Sequence, residues 1–181
     1  MFRSALKLGL TSLGGAAAAI ALLLGGNIWS YSRLTHETEI GIITFEQQGA
    51  VYQVSFFEPG GDAKQFVLQG DEWQLDARLI KWKSWANLLG KDTLYQLDRL
   101  SGRYRDAQRA QKEAPSLVDL RETAMIDIWA LARDFPGAFF MVDAQYGSSV
   151  FLPMKDDAAY RITVSNTGVL ARPIDRPQAT K

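Results

Sequence analysis

Cysteine is absent from this sequence of 181 residues, and histidine occurs once, as His36. The absence of cysteine excludes disulfides, thiolate metal sites and cysteine nucleophiles. A single histidine excludes a multi-histidine metal site. His36 itself lies in a short polar segment just after an apolar run, where a solvated side chain is expected. The sequence therefore predicts no metal site.

Net charge is absent as well, because 20 Lys and Arg balance 20 Asp and Glu. A chain without a basic excess lacks the electrostatic footprint of nucleic-acid binding. There is also no phosphate-binding glycine loop, dinucleotide fingerprint or nucleophile elbow. Acidic pairs occur at Asp71/Glu72 and Asp156/Asp157, but at predicted turns, where acidic residues are common. We therefore expect a protein that is not an enzyme, holds no cofactor and binds no nucleic acid.

One long stretch, between Lys7 and Arg33, carries no charged side chain. Its apolar part, residues 8–28, would span roughly 31 Å as a helix, close to the ~30 Å hydrocarbon core of a bilayer. A cleaved secretory signal has an apolar region of only ~7–15 residues. The sequence thus predicts a retained membrane anchor. Arg3 and Lys7 precede the run, so the positive-inside bias places the N-terminus in the cytoplasm.

These features divide the chain into an N-terminal anchor with a short cytoplasmic end (1–32), a β-rich soluble domain (33–172) and a flexible tail (173–181). The predicted location is the bacterial inner membrane, with a single pass and the C-terminal domain in the periplasm. The predicted partners are the membrane and other membrane proteins of the envelope. The sequence does not indicate an oligomeric state.

Turn signals and alternating apolar residues predict a series of short antiparallel strands in the domain. The clearest alternation runs from Trp73 to Ile80. The other predicted strands are 40–45, 51–57, 64–68, 138–142, 150–154, 160–165 and 169–171, with a short helical turn at 84–89. Residues 93–105 fit either a helix or a strand, and the spacing of Leu100, Gly102 and Tyr104 favours the strand.

One main helix is predicted over 116–135. Ser116 and Asp119 match a helix N-cap pattern at its start, and Pro136-Gly137 ends it. Apolar residues recur within it at steps of three and four, as one stripe expected to face the core: Leu117, Leu120, Ala124, Ile128, Leu131 and Phe135. The predicted fold class is therefore α+β, with one N-terminal transmembrane helix followed by a single domain of antiparallel strands and one main helix.

Three segments carry a resemblance to a known group of proteins: Gly-Asp-Glu-Trp-Gln-Leu-Asp-Ala-Arg at 70–78, Leu-Asp-Arg-Leu-Ser-Gly-Arg-Tyr-Arg at 97–105, and Val-Asp-Ala-Gln-Tyr-Gly-Ser-Ser at 142–149 with Leu-Pro-Met at 152–154. They resemble an uncharacterised family of small single-span bacterial membrane proteins often labelled "multidrug efflux pump" or "multidrug transporter". The resemblance covers nearly the whole chain and implies no catalytic residues. A single span cannot enclose a transport pathway by itself, because transporters build theirs between several helices.

A basic-aromatic stretch provides the ligand-binding candidates, which are Arg78, Lys81, Trp82, Lys83, Trp85, Arg99, Arg103 and Arg105. Cations interleaved with tryptophan could grip an anionic lipid head group or a polysaccharide. Alternatively, the tryptophans fill the core and the cations form surface ion pairs with Asp76, Asp98 and Asp106. The second interpretation is favoured.

The function predicted from these observations is a membrane-anchored, non-enzymatic binding or scaffolding protein of the bacterial envelope. Three alternatives stay open. The protein could be an accessory subunit of an efflux or secretion assembly, a lipid- or glycan-binding module, or an unrecognised hydrolase. The lipid or glycan alternative requires the basic-aromatic residues to converge on one exposed groove. The hydrolase requires a cleft holding two or more acids of perturbed pKa.

Overall fold

Two antiparallel β-sheets form the fold of the protein, seen in a computed structural model that describes residues 18–30, 32, 35–121 and 127–176. The nine strands are β1 (Thr38–Gln48), β2 (Val51–Phe57), β3 (Ala63–Leu68), β4 (Glu72–Trp82), β5 (Leu94–Arg103), β6 (Leu117–Asp119), β7 (Val142–Pro153), β8 (Ala159–Ser165) and β9 (Gly168–Ile174). The helices are α1, helical over the described residues 18–30, followed by α2 (Ser84–Leu88), α3 (Ala107–Lys112) and α4 (Ile128–Asp134).

The five-stranded sheet has the order β3-β2-β1-β8-β9. Its first three strands form a meander, because tight turns at Gly49 and Gly60 reverse the chain with positive φ angles of 66° and 77°. Glycine adopts such angles at little cost because it has no Cβ. The β8–β9 hairpin then adds to the free side of β1, from the other end of the sequence. This places β1 in the middle of the sheet.

The four-stranded sheet has the order β6-β5-β4-β7, with β4 in the middle. Trp73, Leu75, Ala77 and Leu79 alternate along β4 and are each at most 2% exposed. This is the alternation expected of a strand with one buried face. A bulge between Asp76 and Ala77 shifts the register against β5. The opposite face of this sheet carries most of the candidate binding residues.

The core lies between the two sheets and is aromatic at its centre. Trp73 of β4 is fully buried, with ring centroids 5.8 Å from Phe45 and 5.4 Å from Tyr160 on the other sheet. Close contacts also join the sheet edges. The amide N of Val169 in β9 donates to Ser148 Oγ in β7 at 3.0 Å, and Gln69 N donates to Ser116 Oγ at 2.7 Å on the other side. The two sheets are therefore linked along both sides.

The predicted fold class was wrong, because the described chain is mostly β and its helices are short. The main helix predicted at 116–135 is replaced by strand β6, helix α4 and the residues between them, of which 122–126 lie outside the described residues. Ser116 does not cap a helix. Its hydroxyl bonds Gln69, and its carbonyl accepts from Gly102 N at 2.9 Å, so the following residues join the sheet instead.

The apolar stripe that was predicted to face the core is exposed to solvent along α4 and at the residue that follows it. Ile128, Leu131 and Phe135 are 46%, 37% and 60% exposed. Ala132, on the other side of the helix, is buried, and Trp129 is half-buried. Residues at steps of three, four and seven share one helix face, and here that face points away from the protein.

The predicted membrane anchor is corrected as well. Within the residues that the structure describes, no helix combines the length and apolarity needed to cross a membrane. The described helical residues 18–30 cover about 20 Å at ~1.5 Å per residue, and the earlier part of the predicted span lies outside the described residues. The single-pass location in the bacterial inner membrane, with a periplasmic domain, depended on that span and is not supported.

Candidate functional site

The eight candidate residues do not meet in one groove. Arg99, Arg103 and Arg105 lie beside the first half of β4, because Arg99 pairs with Asp76 and Arg103 with Glu72 in the antiparallel ladder. The 81–85 segment lies at the other end of the strand. With a rise of about 3.3 Å per residue, Lys81 lies about 17 Å along β4 from the level of Arg99, which is opposite Asp76, and about 30 Å from the level of Arg103, which is opposite Glu72.

The first group consists of arginines that already have acidic partners. Arg105 Nε lies 2.8 Å from Glu72 Oε1, and Arg103 Nε lies 3.9 Å from the other oxygen of the same carboxylate. The Arg103 guanidinium also lies 4.3 Å from the ring centroid of Phe151. Asp71 supplies a second carboxylate, which accepts from Arg105 N at 3.0 Å, so two acids offset the two arginines and this end of the sheet offers little attraction to an anionic ligand.

Asp76 organises the centre of the same face. Its carboxylate, 8% exposed, accepts hydrogen bonds from Ser149 Oγ at 2.5 Å, Arg99 Nε at 2.6 Å and Gln74 Nε2 at 2.8 Å. Burial alone would raise the pKa of the Asp76 carboxyl, but these three hydrogen bonds outweigh it and leave the pKa below its ordinary value. A carboxylate held in its ionised form by three donors is a structural centre that joins β4, β5 and β7.

Arg78 lies between the two groups and packs against α4. One of its guanidinium nitrogens lies 3.1 Å from Asp98 Oδ1, and its guanidinium carbon lies 5.4 Å from the ring centroid of Trp129. Asp98 also lies 3.9 Å from Arg121, which forms a closer pair with Asp119 at 2.6 Å. The hydrogen bonds from Arg121 lower the pKa of Asp119 to about 2. Arg78 is thus part of a compensated network as well.

The second group, at 81–85, differs because its tryptophans are not core residues. Trp82 is half-buried and its Nε1 donates to the carbonyl of Asp92 at 2.7 Å. Trp85 is 45% exposed and stacks on Phe140, with ring centroids 6.4 Å apart. Lys81 lies 3.5 Å from Asp143, and Lys83 is exposed at the start of α2. The expectation that Trp82 and Trp85 fill the core was wrong, since Trp73 fills it.

The basic candidates were predicted to form surface ion pairs with three acidic residues, and two of these three pairings are present. Asp76 and Asp98 pair with arginines as described above. Asp106 instead caps helix α3, where its side chain accepts from Gln108 N at 2.7 Å.

A pocket of about 220 Å³ lies where the start of α4 meets β4 and β5. Its apolar wall is formed by Ile80, Leu94 and Ile128, and its polar groups come from Arg78, Tyr95, Gln96, Asp127 and Trp129. Ligand pockets for drug-sized molecules are about 300–1,000 Å³, so this one suits a single large side chain. We call it the α4 socket.

Large apolar side chains are exposed on α2, on α4 and on the loop that follows α4. We call this set the apolar surface: Trp85, Leu89, Ile128, Leu131, Phe135 and Phe140, each 37–75% exposed. The loop 136–141 leads from the end of α4 to the aromatic stack on α2, since Phe140 is the partner of Trp85. Sequence reasoning selected only Trp85 from this set as a binding candidate. It assigned Ile128, Leu131 and Phe135 to the core, because an apolar stripe does not reveal which way it faces.

The acidic residues that the structure describes do not resemble those of a hydrolytic site. Among the described residues, the acids with shifted pKa values are all shifted downward by hydrogen bonds, chiefly from arginine, as in Glu113 beside Arg109 and Asp134 beside Arg133. A general acid needs the opposite shift. Within the described part of the chain, no group of three or more His, Cys, Asp and Glu side chains could hold a metal ion.

Neither a protein-family model, nor a curated protein, nor a solved structure matches this chain. The resemblance to the single-span bacterial family therefore stays a prediction.

Proposed function

We propose that this protein is a non-enzymatic binding domain that docks another protein chain on the apolar surface. One observation carries the proposal: six large apolar side chains are exposed on α2, on α4 and on the loop that leads from α4 to the Trp85–Phe140 stack, and one of them, Ile128, borders a socket that fits one further side chain. Scattered exposed apolar residues are normal, but a cluster of them is typical of an interaction site.

The size of the apolar surface is right for a protein partner. Aromatic side chains present about 150–250 Å² each when fully exposed, so six large side chains exposed by about half offer about 600–700 Å². A standard protein–protein interface buries about 800 Å² on each partner. The α4 socket would supply the desolvated pocket in which one anchoring side chain of the partner contributes most of the binding energy.

The charges near this surface favour a protein over an anionic lipid or glycan. Lys81 is paired with Asp143, and Arg133 with Asp134. An anionic surface would be attracted by an excess of basic groups, and these pairs cancel. Of the other basic candidates, Lys83 is exposed near Trp85, and Arg78 lines the socket but is paired with Asp98. Arg99, Arg103 and Arg105 lie farther along the sheet and have acidic partners there.

The proposal is tested by photo-crosslinking in the native cells, with a photoreactive amino acid at position 140 and, as control, at position 57. Phe57 is 44% exposed but lies on the other sheet. We expect a protein adduct at 140 only. The crosslinked protein is then identified, purified and titrated against the full chain.

In that titration, Phe140→Ala should weaken binding at least about tenfold, which corresponds to ~1.4 kcal/mol, whereas Phe57→Ala should leave the affinity unchanged. Binding should also show a negative heat-capacity change, as burial of apolar surface does. If the chain instead binds phosphatidylglycerol vesicles through position 140 and crosslinks no protein there, the lipid-binding alternative replaces this proposal.

A further inference from the structure

We infer that the occupant of the apolar surface is a second copy of this chain, docked through α4 about a twofold axis. The inference rests on the proposed function and names its partner. It is based on the two ends of α4, because a socket lies at one end of this helix and a large exposed apolar side chain lies at the other.

The socket lies at the N-terminal end of α4, where Ile128 contributes to its wall. A large exposed side chain, Phe135, lies directly after the C-terminal end of the same helix and is 60% exposed. Seven residues, or about two helical turns and ~10.5 Å, separate the two. Both belong to the outward-facing stripe.

A twofold axis that crosses α4 next to Leu131 brings two such helices together in antiparallel orientation. Residues 128 and 135 are equally far from the axis, one on each side of it. Residue 128 of one copy therefore lies opposite residue 135 of the other. Each Phe135 ring is directed to the socket beside Ile128 of the other copy. The contact is isologous, so one knob and one socket per chain produce two identical contacts and a closed dimer.

Charge and area agree with this arrangement. Beside the stripe, Arg133 and Asp134 carry opposite charges, as do Lys83 and Asp127 near the two ends of the surface. These two basic and two acidic groups cancel, so they give the surface no net charge that would repel a second copy. The whole apolar surface, about 600–700 Å² per copy, approaches the ~800 Å² per partner of a stable interface, so the dimer has to cover Trp85, Leu89 and Phe140 as well as the stripe on α4.

The test measures the oligomeric state of the purified full chain by sedimentation velocity over a range of concentrations. We expect a monomer–dimer equilibrium. Phe135→Ala should raise its dissociation constant at least about tenfold, since side chains buried in well-packed, desolvated pockets contribute most of the binding energy of an interface. Phe151→Ala is the matched control. Phe151 is a phenylalanine of similar exposure, 50%, on the outer face of the four-stranded sheet, and its loss should leave the equilibrium unchanged.

A second variant reports the geometry directly. The chain contains no cysteine, so Leu131→Cys introduces one thiol, placed beside the proposed axis. A bismaleimide with a spacer of about 8 Å, close to the distance between packed helix axes, should join two copies at high yield. Phe151→Cys should give little of this product. Circular dichroism and thermal melting confirm that each variant is folded.

Several outcomes overturn the inference. A chain that is monomeric at every concentration overturns it. A dimer that persists in Phe135→Ala and is not crosslinked at position 131 also overturns it. A monomer that still crosslinks a different protein at position 140 overturns the second copy and leaves the proposed function standing. A monomer with no protein adduct at that position overturns both.

Discussion

Trp73 and Trp85 provide the sharpest contrast between a side chain that holds the fold together and one that is free to bind. Trp73 is fully buried between the sheets, and its ring touches Phe45 and Tyr160. Trp85 is 45% exposed and has one ring contact, with Phe140. Replacing each by alanine should therefore affect the free energy of unfolding very differently.

The cost for Trp73→Ala should be about 4–5 kcal/mol, the upper end of the range for a buried tryptophan, because two aromatic contacts are lost and a cavity is left. For Trp85→Ala we expect less than about 1 kcal/mol, since half of the side chain is already in water. The first loss is comparable to the whole stability of many small domains, which is about 5–15 kcal/mol.

Trp73→Phe separates packing from hydrogen bonding. The indole N–H of Trp73 is buried and has no acceptor among the described residues. Removing a buried, unpaired donor recovers about 1–3 kcal/mol and offsets part of the smaller cavity. The phenylalanine variant should thus cost at most about 2 kcal/mol.

The assay is urea unfolding followed by far-ultraviolet circular dichroism, which does not depend on the tryptophans being changed. The midpoint should shift strongly for Trp73→Ala and hardly at all for Trp85→Ala, at constant slope. Equal losses for the two alanine variants would refute the assignment of Trp73 to the core and Trp85 to the apolar surface.

Three further predictions concern positions elsewhere in the fold. Ile128→Asp should change the free energy of unfolding of the monomer by less than about 1 kcal/mol in urea titrations at low protein concentration, because its side chain is 46% exposed; a loss of several kcal/mol there would mean that the stripe is buried. Gly102→Ala should lower the melting temperature by more than about 10 °C, because an added Cβ would lie 1.8 Å from a backbone oxygen, whereas Gly147→Ala, with open space around it, should melt within a few degrees of the parent. The pKa of Asp76 is lower in the folded chain than its unfolded value of about 3.9. The stabilising effect of the carboxylate is therefore present above that pH and is lost as the pH falls through the folded pKa. Asp76→Asn should flatten the acid side of the curve of stability against pH, and an unchanged curve would contradict the role of this carboxylate.

The strands were largely predictable because their signals are local. Residues 51–57 were predicted with the bounds that β2 has, since a turn with Gly49 precedes them and Pro59-Gly60 follows. The alternation from Trp73 onward likewise identified β4. In the ambiguous stretch 93–105 the strand was the correct choice, as β5. Period-two patterns and turn residues are read without knowing the rest of the fold.

The errors arose where distant residues decide the structure. Ser116 looks like a helix cap, but its hydroxyl is used by Gln69, 47 positions earlier. Residues 138–142 read as a buried strand, yet 136–141 form turns, and the carbonyl of Met141 accepts from Lys83 N at 2.9 Å. β7 begins only at Val142 and continues unbroken to Pro153, whereas the sequence predicted two separate strands at 138–142 and 150–154. No local pattern carries this information.

The candidate site was only partly predictable, because distant residues also decide which side chains lie together on the surface. The 78–105 stretch is contiguous in sequence, but the β4–β5 hairpin carries its two halves to opposite ends of one sheet. Arg78 and Arg99 stay close together, because they lie opposite Gln96 and Asp76, and only Arg103 and Arg105 reach the end opposite 81–85. The apolar surface, in contrast, joins Trp85 to Phe140, 55 positions later. A sequence pattern identifies apolar side chains, whereas only the packed fold tells which of them are left uncovered.

The central position of β1 has a consequence for how the chain is made. Its partner on one side, β2, follows immediately, but the strand on its other side, β8, begins only at Ala159. At a synthesis rate of about 5–20 residues per second, the open edge of β1 waits about 5–20 s for its partner to emerge from the ribosome. During that time the nascent β1–β3 meander presents an unpaired, apolar edge, which is the kind of template on which chains aggregate. A ribosome stall before residue 159 would therefore prolong the most aggregation-prone state of this protein.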